Sequence, residues 1–574
     1  MSYTVECLCL YKNTTVYYYT KMCGIFFVHG SPDVPACIEG CMTLQPRGPD
    51  QTTIMFDNNT FMGFQRLKIN GLTDAGNQPM YRGVDETYMI CNGEIFDWKE
   101  FNDKYDLGCQ SGSDCEVILN LYCLIKFDPS IVDAFPDRLD GEFAFVIHDK
   151  AENSIIACRD PYGVRPLFYY HTNEGKSDFE VGFASELKAL HKIVPEPTLL
   201  KQFPPGTIMV IDLNDKSVKT HKYVDFPITY DVGIIEDDAL RLIRDSLTQA
   251  VRKRLMSDRP IGALLSGGLD SSLVASIASR HIAPGKLETF CIGFKGSTDL
   301  HYANLVAEHI GSKHHVIEVQ EEEFLNAIEE TIHIIESYDI TSVRASVGNL
   351  LVSKYVATHT DCKVLYNGDY SDEVSGSYLY FKNAPTENDF HNECIRLVQD
   401  ICYFDSLRSD RTISSQGLEA RAPFSDKKYV QAYMSLDPKL RMCNDRIEKY
   451  MLRKAFENED LLPNEVLWRS KTAFSDGVSC PDHSWHKIVQ EFISTKVSDE
   501  EFQTHKGAFL HNPPQTKEAY YYRMIFEKHY PGFAHVIPYY WLPRWSGDIQ
   551  DPSARELDIC QESAIKDKKD LDLL

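Results

Sequence analysis

A pair of glycines flanked by hydroxyl side chains follows a short apolar segment in residues 264–276 (LLSGGLDSSLVAS). The apolar residues before Ser266 predict a strand, and the residues from about Asp270 onward predict a helix. Glycines let backbone amides approach an oxyanion, and a helix N-terminus adds free N–H groups and the positive end of the helix dipole. The stretch therefore indicates a phosphate-binding loop, although it lacks the Gly-Lys-Ser/Thr ending of a Walker A loop.

A cysteine near the start of the chain, in Met22-Cys23-Gly24, is a second candidate for chemistry. A thiolate is a strong nucleophile, but a thiol needs a base to become one. A cysteine at a chain terminus carries its own base, because an α-amine has a pKa near 8, below the value of about 10.4 for lysine. Cys23 is thus a candidate nucleophile if Met22 is removed from a chain that starts there.

Three further segments supply groups that together describe a site for glutamine. In residues 91–98 (CNGEIFDW), a predicted strand end carries Asn92 and Gly93, where a side-chain amide and a backbone N–H can form an oxyanion hole. Arg66 offers the bidentate fork that suits a substrate carboxylate. Asp114, near a predicted helix start, suits an α-ammonium group. Each residue alone is more simply a surface ion pair or a turn residue, so the interpretation depends on finding them together.

The composition excludes several classes of protein. The 574 residues carry a net charge of −25, which argues against nucleic acid as the main partner. No apolar run reaches the length of a membrane span, and the first 21 residues lack the continuous apolar core of a signal peptide. The 17 cysteines contain no Cys-x-x-Cys pair. We therefore expect reduced thiols in a cytoplasmic protein.

Two unlike halves are expected from the periodicity. Residues 23–211 show many short β-prone segments separated by turns and few helical patterns, which predicts an α+β sandwich. Residues 212–237 are polar and are interpreted as a linker. Residues 238–545 begin with strands that alternate with helices, which predicts a doubly wound parallel sheet, and become mainly helical after about residue 380. Residues 546–574 are interpreted as a flexible tail.

The chain resembles the glutamine-hydrolysing asparagine synthetase family over about residues 22–545. The first half looks like a class II glutamine amidotransferase, and its matching segments are residues 22–26, 47–50, 66–67, 92–94, 113–114 and 159–170. The second half carries matching segments at residues 266–272, 296–303, 338–346, 417–424 and 468–477, and its loop 266–272 resembles the pyrophosphatase loop of ATP-dependent adenylating enzymes. The resemblance implies an Ntn-hydrolase-type four-layer sandwich followed by a sheet of the adenine-nucleotide alpha-hydrolase type with added helices.

The resemblance also implies roles for residues in the first half. Cys23 would attack the glutamine amide and form a thioester, while Asn92 and Gly93 would stabilise the oxyanion. The implied glutamine-binding residues are Arg66, Leu67, Lys68, Ile69, Asn70, Asn92, Gly93, Glu94 and Asp114. Ammonia would then cross to the second site through a tunnel between the domains.

In the second half, the resemblance implies that ATP adenylates the β-carboxylate of aspartate and that ammonia displaces AMP. The implied ATP-binding residues are Leu264, Ser266, Gly267, Gly268, Asp270, Ser271, Ser272, Ile292, Asn367 and Gly368. Thr341, Ser342, Arg344 and Tyr378 are candidates for binding aspartate or the intermediate, and Arg344 and Lys471 are candidates to neutralise the leaving pyrophosphate. Asp270 and Asp372 would position Mg²⁺.

One loop departs from the family pattern. The family has Ser-Gly-Glu-Gly before Ser-Asp-Glu, whereas this chain has Asn367-Gly368-Asp369-Tyr370. Asp369, a candidate catalytic residue, keeps the charge but is one methylene shorter, and Tyr370 replaces a glycine. Ser377 likewise replaces the second glycine of the family's Gly-Gly-Tyr. We therefore expect a synthetase site that is either retuned or impaired.

Several alternatives stay open. Residues 1–22 leave Cys23 with an amide nitrogen, which leaves three alternatives. Translation begins at Met22, which we favour; or a propeptide is removed; or the extension persists and the enzyme uses free ammonia. An adenylating enzyme with another acceptor, a glutaminase alone and a non-catalytic relative are the other hypotheses. The expected partners are glutamine, aspartate and ATP, with neither nucleic acid nor membrane, and the family commonly forms homodimers.

Overall fold

The computed structural model describes residues 15–19, 23–48, 50–84, 86–127, 135–224, 229–444, 446–471, 477–479 and 484–553. Within these residues the chain forms two antiparallel sheets followed by one parallel sheet. Of the helices that the structure describes, none combines the length and apolarity that a membrane crossing needs. The described cysteines are all free thiols.

The first half contains the two antiparallel sheets. The seven-stranded sheet has the spatial order Thr15–Tyr19, Gln51–Asp57, Thr60–Arg66, Gly24–His29, Val181–Ala184, Phe168–His171 and Lys201–Gln202. The six-stranded sheet has the order Ser217–Lys222, Thr207–Asp212, Ser154–Arg159, Gly141–Asp149, Thr87–Ile95 and Met80–Arg82. Buried side chains from both sheets form one core, which includes Ile25, Phe27, Phe64, Ile90, Val146 and Ala157.

Helices cover the outer faces of both sheets and give four layers. Val34–Thr43 packs its buried Cys37 and Cys41 against the seven-stranded sheet. Glu116–Phe127 packs Val117, Ile118 and Leu121 against the six-stranded sheet. Trp98–Tyr105 and Leu187–Leu190 are the remaining α-helices described in this half. The central strands of each sheet are therefore buried on both faces, which explains why they are rich in apolar residues.

The second half is built on a parallel sheet. Its spatial order is Lys313–Val319, Glu288–Phe294, Ile261–Leu264, Val364–Tyr366 and Glu419–Arg421, and every neighbouring pair is parallel. The longer helices among the described residues are Glu236–Lys253, Leu269–Ser279, Thr298–Ile310, Ile328–Ile335, Ile340–His359, Glu387–Asp400, Lys427–Met434, Trp485–Lys496 and Lys517–His529. The shorter α-helices are Glu321–Asn326, Ser371–Ser375, Thr412–Ser414, Pro438–Arg441, Tyr450–Phe456, Asn464–Leu467 and Asp499–His505. Leu407–Arg411 is a π-helix.

The linker interpreted over residues 212–237 is shorter in the structure. Ser217–Lys222 pairs with Thr207–Asp212 at the edge of the six-stranded sheet. This strand is largely exposed, so its polar residues resemble a linker although it belongs to the sandwich. The first helix of the second half begins at Glu236.

The two ends of the chain also differ from the expectation. Thr15–Tyr19, within the interpreted extension, pairs antiparallel with Gln51–Asp57, and the rest of residues 1–22 lies outside the described residues. In the interpreted tail, Asp551 forms an ion pair with Arg344 at 2.7 Å, so residues 546–553 belong to the folded body. Residues 554–574 lie outside the described residues.

Candidate active sites

Cys23 lies immediately before the strand Gly24–His29, in the seven-stranded sheet. Its Sγ accepts a hydrogen bond from the backbone N–H of Leu67 at 2.9 Å, and its carbonyl accepts one from Arg47 Nε at 3.2 Å. Burial raises the pKa of the thiol to about 12, although the Leu67 N–H and the charge of Arg66 lower it. The thiol is therefore protonated at neutral pH and needs a base before it can attack a substrate.

Asn92 and Gly93 lie within the strand Thr87–Ile95 and not at its end, because pairing with Gly141–Asp149 continues through Ile95. Asn92 is buried, and its Nδ2 has no hydrogen-bond partner among the described residues. A buried amide donor without a partner is costly, so it is available for a substrate oxyanion. A Cβ on Gly93 would lie 2.5 Å from the Glu142 carbonyl oxygen, which explains the glycine.

Arg66 and Asp114 are both held in place by hydrogen bonds to neighbouring segments. The Arg66 guanidinium donates to Thr73 O at 2.7 Å and to Asn77 Oδ1 at 2.6 Å, and it also contacts Gly71 O. Asp114 Oδ2 accepts from the Ile95 N–H at 2.7 Å. Burial raises the pKa of Asp114 to about 6, while the Ile95 hydrogen bond opposes the shift.

The other expected glutamine-site residues have mixed positions. Leu67 and Ile69 are buried and pack with Val364 of the parallel sheet, so this segment touches the second half. The Nζ of Lys68 forms an ion pair with the exposed Asp74 carboxylate at 3.0 Å. Asn70 Nδ2 donates to Glu94 Oε2 at 2.5 Å, so these two side chains contact each other.

A cavity of about 200 Å³ opens at the carboxyl ends of the parallel strands. Among the expected synthetase-site residues, the structure places thirteen in its lining: Leu264, Ser266, Gly268, Asp270, Ser271, Ile292, Thr341, Asn367, Gly368, Asp369, Asp372, Tyr378 and Lys471. Crevices at this edge are the usual ligand sites of open parallel sheets. The backbone topology thus collects residues that are separated by about 200 positions in the sequence.

The glycine loop has the geometry of an anion-binding turn. Gly267 has φ +70°, and a Cβ there would lie 2.5 Å from Ala303 N. Gly268 is the N-cap of the helix Leu269–Ser279. The Ser266 N–H donates to Ser271 Oγ at 3.2 Å, so the loop folds back onto the first helical turn. Ser272 is buried behind the loop, and its Oγ has no hydrogen-bond partner among the described residues.

Two carboxylates and two lysines meet beside this loop. Lys449 Nζ lies 2.5 Å from Asp270 Oδ2 and 2.7 Å from Asp372 Oδ1. Lys471 Nζ lies 2.6 Å from Asp372 Oδ2. Although burial raises the pKa of Asp372, the two lysines hold it well below its usual range. Asp372 therefore stays ionised, and the cluster can exchange its internal ion pairs for those with a phosphate and its cation.

The donor set fits a magnesium ion that is shared with substrate phosphates. Mg²⁺ is usually bound by one or two carboxylates together with phosphate oxygens and water. Asp270 and Asp372 supply two carboxylates near the phosphate loop. Among the described residues no group of three potential metal-ligating side chains converges, so the phosphates would have to complete the coordination.

Four expected residues are not part of the cavity lining, namely Gly267, Ser272, Ser342 and Arg344. The Arg344 guanidinium is buried and forms ion pairs with Glu518 at 2.6 Å and with Asp551 at 2.7 Å. These bonds occupy the guanidinium fork, so the geometry does not place Arg344 at the leaving pyrophosphate. The Ser342 Oγ donates to Asp339 Oδ2 at 3.0 Å, within the N-terminal cap of the helix Ile340–His359.

Sequence reasoning missed three cations near the cavity. Lys449 is nearly completely buried, Arg408 pairs with Asp369, and Arg469 donates to Gly267 O at 3.1 Å. Each lies in a helical or polar segment where a charged residue is ordinarily at the surface. Arg469 lies within the family-like segment 468–477, whereas Lys449 and Arg408 lie outside the matching segments, and only the tertiary fold brings those two to the loop.

The two halves define the class of protein: a thiol-bearing sandwich joined to a parallel-sheet domain with a candidate phosphate loop. Residues 22–224 match a glutamine amidotransferase domain, and residues 242–389 and 382–551 match asparagine synthase. The chain belongs to the asparagine synthase family.

Similar proteins match along almost their whole length. A probable glutamine-hydrolysing asparagine synthetase of Acanthamoeba polyphaga mimivirus is 41% identical, and the match covers 94% of this chain and 100% of that protein. The glutamine-hydrolysing asparagine synthetase of Gallus gallus is 40% identical, with 93% of this chain and 98% of that protein covered. The Homo sapiens enzyme of the same name is 39% identical, with 95% and 100% covered.

Proposed function

We propose that the chain catalyses glutamine-dependent asparagine synthesis. Glutamine and water give glutamate and ammonia at the first site. Aspartate and ATP give β-aspartyl-AMP and pyrophosphate at the second site, and ammonia then displaces AMP to give asparagine. The observation that carries the proposal is that one chain holds a half-buried thiol bonded by the Leu67 N–H, a buried Asn92 amide without a partner among the described residues and, separately, a glycine loop beside a cluster of carboxylates and lysines.

At the first site, Cys23 attacks the amide carbonyl of glutamine and forms a thioester. Asn92 Nδ2 and the backbone at Gly93 stabilise the oxyanion, the amide nitrogen takes up the proton of the thiol and leaves as ammonia, and water then hydrolyses the thioester to glutamate and the free thiol. Arg66 binds the α-carboxylate and Asp114 binds the α-ammonium group. The base is the α-amine of Cys23, which requires that residue 22 and those before it be absent from the active enzyme.

At the second site, the backbone amides of the loop at Gly268 bind ATP phosphates, and Lys471 and Lys449 neutralise pyrophosphate as it leaves. When bound, Mg²⁺ supplies further neutralisation of phosphate charge, with Asp270 and Asp372 as its protein ligands. One oxygen of Asp369 pairs with Arg408, while its Oδ2 is buried without a partner among the described residues. This oxygen accepts the proton that ammonia loses as it attacks.

Ammonia passes between the sites along the apolar contact of Leu67 and Ile69 with Val364. An apolar path suits neutral ammonia, because it offers no group that would protonate or retain the molecule. The sandwich is assigned to the Ntn-hydrolase type and the parallel sheet to the adenine-nucleotide alpha-hydrolase type. We further propose that the enzyme acts in the cytoplasm as a homodimer.

The test uses aspartate labelled with ¹⁸O in its side-chain carboxylate. Purified enzyme with ATP, Mg²⁺ and glutamine should yield asparagine, glutamate, AMP and pyrophosphate in equal amounts, with one ¹⁸O atom in AMP. The label reaches AMP because the carboxylate oxygen that attacks the α-phosphorus remains with AMP when ammonia displaces it. Unlabelled AMP, or pyrophosphate release that does not depend on aspartate, would contradict the proposal.

An ammonia-dependent synthetase is the second candidate function. It is favoured by one observation: Thr15–Tyr19, which precedes Cys23, pairs with Gln51–Asp57 at the edge of the seven-stranded sheet, and in a chain that keeps this strand Cys23 has a peptide nitrogen. Intact mass and N-terminal sequencing of the purified native protein separate the two candidates. A start at Cys23 supports glutamine as donor, whereas a start at Met1 or Ser2 leaves ammonia as the only donor.

A further inference from the structure

The loop that departs from the family pattern is fastened to one short segment by three successive side-chain contacts. Asn367 Nδ2 donates to Ser409 Oγ at 2.7 Å, Arg408 pairs with Asp369, and the Tyr370 and Ser406 hydroxyls lie 2.8 Å apart. The partner residues belong to the π-helix Leu407–Arg411 or directly precede it. π-Helical turns are rare and are found frequently at functional sites. Each of the three altered side chains of the loop therefore has a specific partner in the π-helical segment.

Tyr370 has a backbone conformation that a tyrosine rarely adopts. Its φ is +75° and its ψ is −11°, in the left-handed region that normally favours glycine. A bulky residue persists there only when the surrounding structure imposes the conformation. The ring is 3% exposed and packs in the core of the second half, and the hydroxyl is held by Ser406. These two interactions supply the constraint.

The rate of the proposed synthetase reaction depends most on the position of the adjacent Asp369 carboxylate. It is one methylene shorter than the glutamate of the family pattern, so its carboxylate reaches less far from the backbone. It lines the cavity with one oxygen paired to Arg408 and the other unpartnered among the described residues. A displacement of about 1 Å at such a group can cost about 100-fold in rate.

We propose that Tyr370 is a positioning residue: held by Ser406, it fixes the left-handed turn that presents the shorter Asp369 carboxylate to the synthetase cavity. The loop is thus retuned and not impaired. Ser377, the other departure, supports the same conclusion, because its Oγ donates to Asp372 Oδ1 at 2.5 Å within the cavity wall. This inference rests on the proposed function of the same cavity.

The test is a double-mutant cycle on the hydroxyl pair, with Tyr370→Phe, Ser406→Ala and both together. Ammonia-dependent asparagine formation is measured at saturating aspartate and ATP, and glutaminase activity is measured on the same preparations. Each single variant should lower the synthetase kcat by about three- to tenfold, the worth of one hydrogen bond. The KM for ATP and the glutaminase rate should not change, and the double variant should fall no further than the singles.

A matched control removes a buried tyrosine hydroxyl that lies outside the cavity lining. Tyr366 lies four residues before Tyr370, and its hydroxyl donates to Val251 O at 3.0 Å. The substitution Tyr366→Phe should therefore leave the synthetase kcat unchanged. Tyr370→Gly should lose more than Tyr370→Phe, because it removes both the ring and the bond. A gain of activity in Tyr370→Gly would show instead that the ring obstructs the site.

The outcomes separate the inference from the function on which it rests. If the unaltered protein makes no asparagine from aspartate, ATP and ammonia, the proposed function fails and this inference fails with it. If it does, but Tyr370→Phe has the same kcat, or the two single effects multiply in the double variant, the inference alone is overturned. A loss of the same size in Tyr366→Phe would also overturn it, because the effect would then be one of packing.

Discussion

Asp114 gives glutamine binding a pH dependence whose size follows from the structure. Burial raises its pKa from 3.8 to about 6, and its proposed role, pairing with the α-ammonium group of glutamine, needs the ionised carboxylate. With that pKa, about nine in ten sites are ionised at pH 7 and about one in ten at pH 5. The dissociation constant for glutamine should therefore be about tenfold larger at pH 5 than at pH 7.

The assay is equilibrium binding of glutamine by calorimetry between pH 5 and pH 8. A Cys23→Ala background prevents turnover, so that binding alone is measured. Asp114→Asn is the matched control, because the amide keeps an oxygen for the Ile95 N–H and loses only the charge. This variant should bind weakly at every pH. Equal affinities at pH 5 and pH 7, or the same pH slope in the Asp114→Asn variant, would refute the reasoning.

The raised pKa of Asp114 also makes the free energy of unfolding depend on pH, in the direction opposite to that of an ion-paired carboxylate with a lowered pKa. Because the folded pKa lies above the unfolded value of 3.8, the folded state binds the proton more tightly. Its favourable contribution is present at low pH and is lost as pH rises from about 4 through about 6, a difference of about 3 kcal/mol. Without glutamine, Asp114→Asn should therefore raise the unfolding midpoint at pH 7 and have little effect at pH 4.

Three further predictions concern other buried polar groups. Asn92→Ala should lower glutaminase kcat by about 10²- to 10³-fold and leave ammonia-dependent synthesis unchanged, since one oxyanion donor is worth that much. Lys449→Met should lower aspartate-dependent pyrophosphate release by at least about 100-fold, whereas Lys454→Met, which removes a partly exposed pair with Glu457, should not. Arg344→Met should destabilise the second half by about 3–5 kcal/mol in denaturant unfolding, because two carboxylates lose their buried partner; a midpoint equal to that of the unaltered protein would contradict this.

Strand and helix positions could be predicted well where the local pattern and the burial agree. The apolar residues before Ser266 were expected to form a strand and those from about Asp270 a helix, and the structure has Ile261–Leu264 and Leu269–Ser279. The exposed edge strand Ser217–Lys222 was interpreted as a linker because its residues are mostly exposed and polar. An edge strand is specified by its neighbour in the sheet, which a local pattern does not contain.

The candidate sites divide in the same way. Ser266, Gly268 and Asp270 could be placed because a strand, a turn and a helix N-terminus form one continuous stretch of sequence. Lys449 could not be placed, because its contact with Asp270 spans 179 positions. Arg344 was expected at the pyrophosphate because its segment fits the family, but its guanidinium forms buried ion pairs with Glu518 and Asp551. A motif specifies the residue type and leaves its partners to the tertiary fold.

The buried guanidinium of Arg47 connects the first site with the second half of the chain through long-range contacts. Its Nε holds the Cys23 carbonyl, while the same guanidinium pairs with Glu186 at 2.6 Å and with Asp410 of the π-helix at 2.7 Å. Buried ion pairs are weak evidence for stability, since desolvation offsets much of their attraction, but an unpaired partner would be strongly unfavourable. The arrangement therefore penalises any docking of the halves that separates Arg47 from Asp410. Because Arg408 of that π-helix also pairs with Asp369, the docking that places the nucleophile also places the synthetase loop.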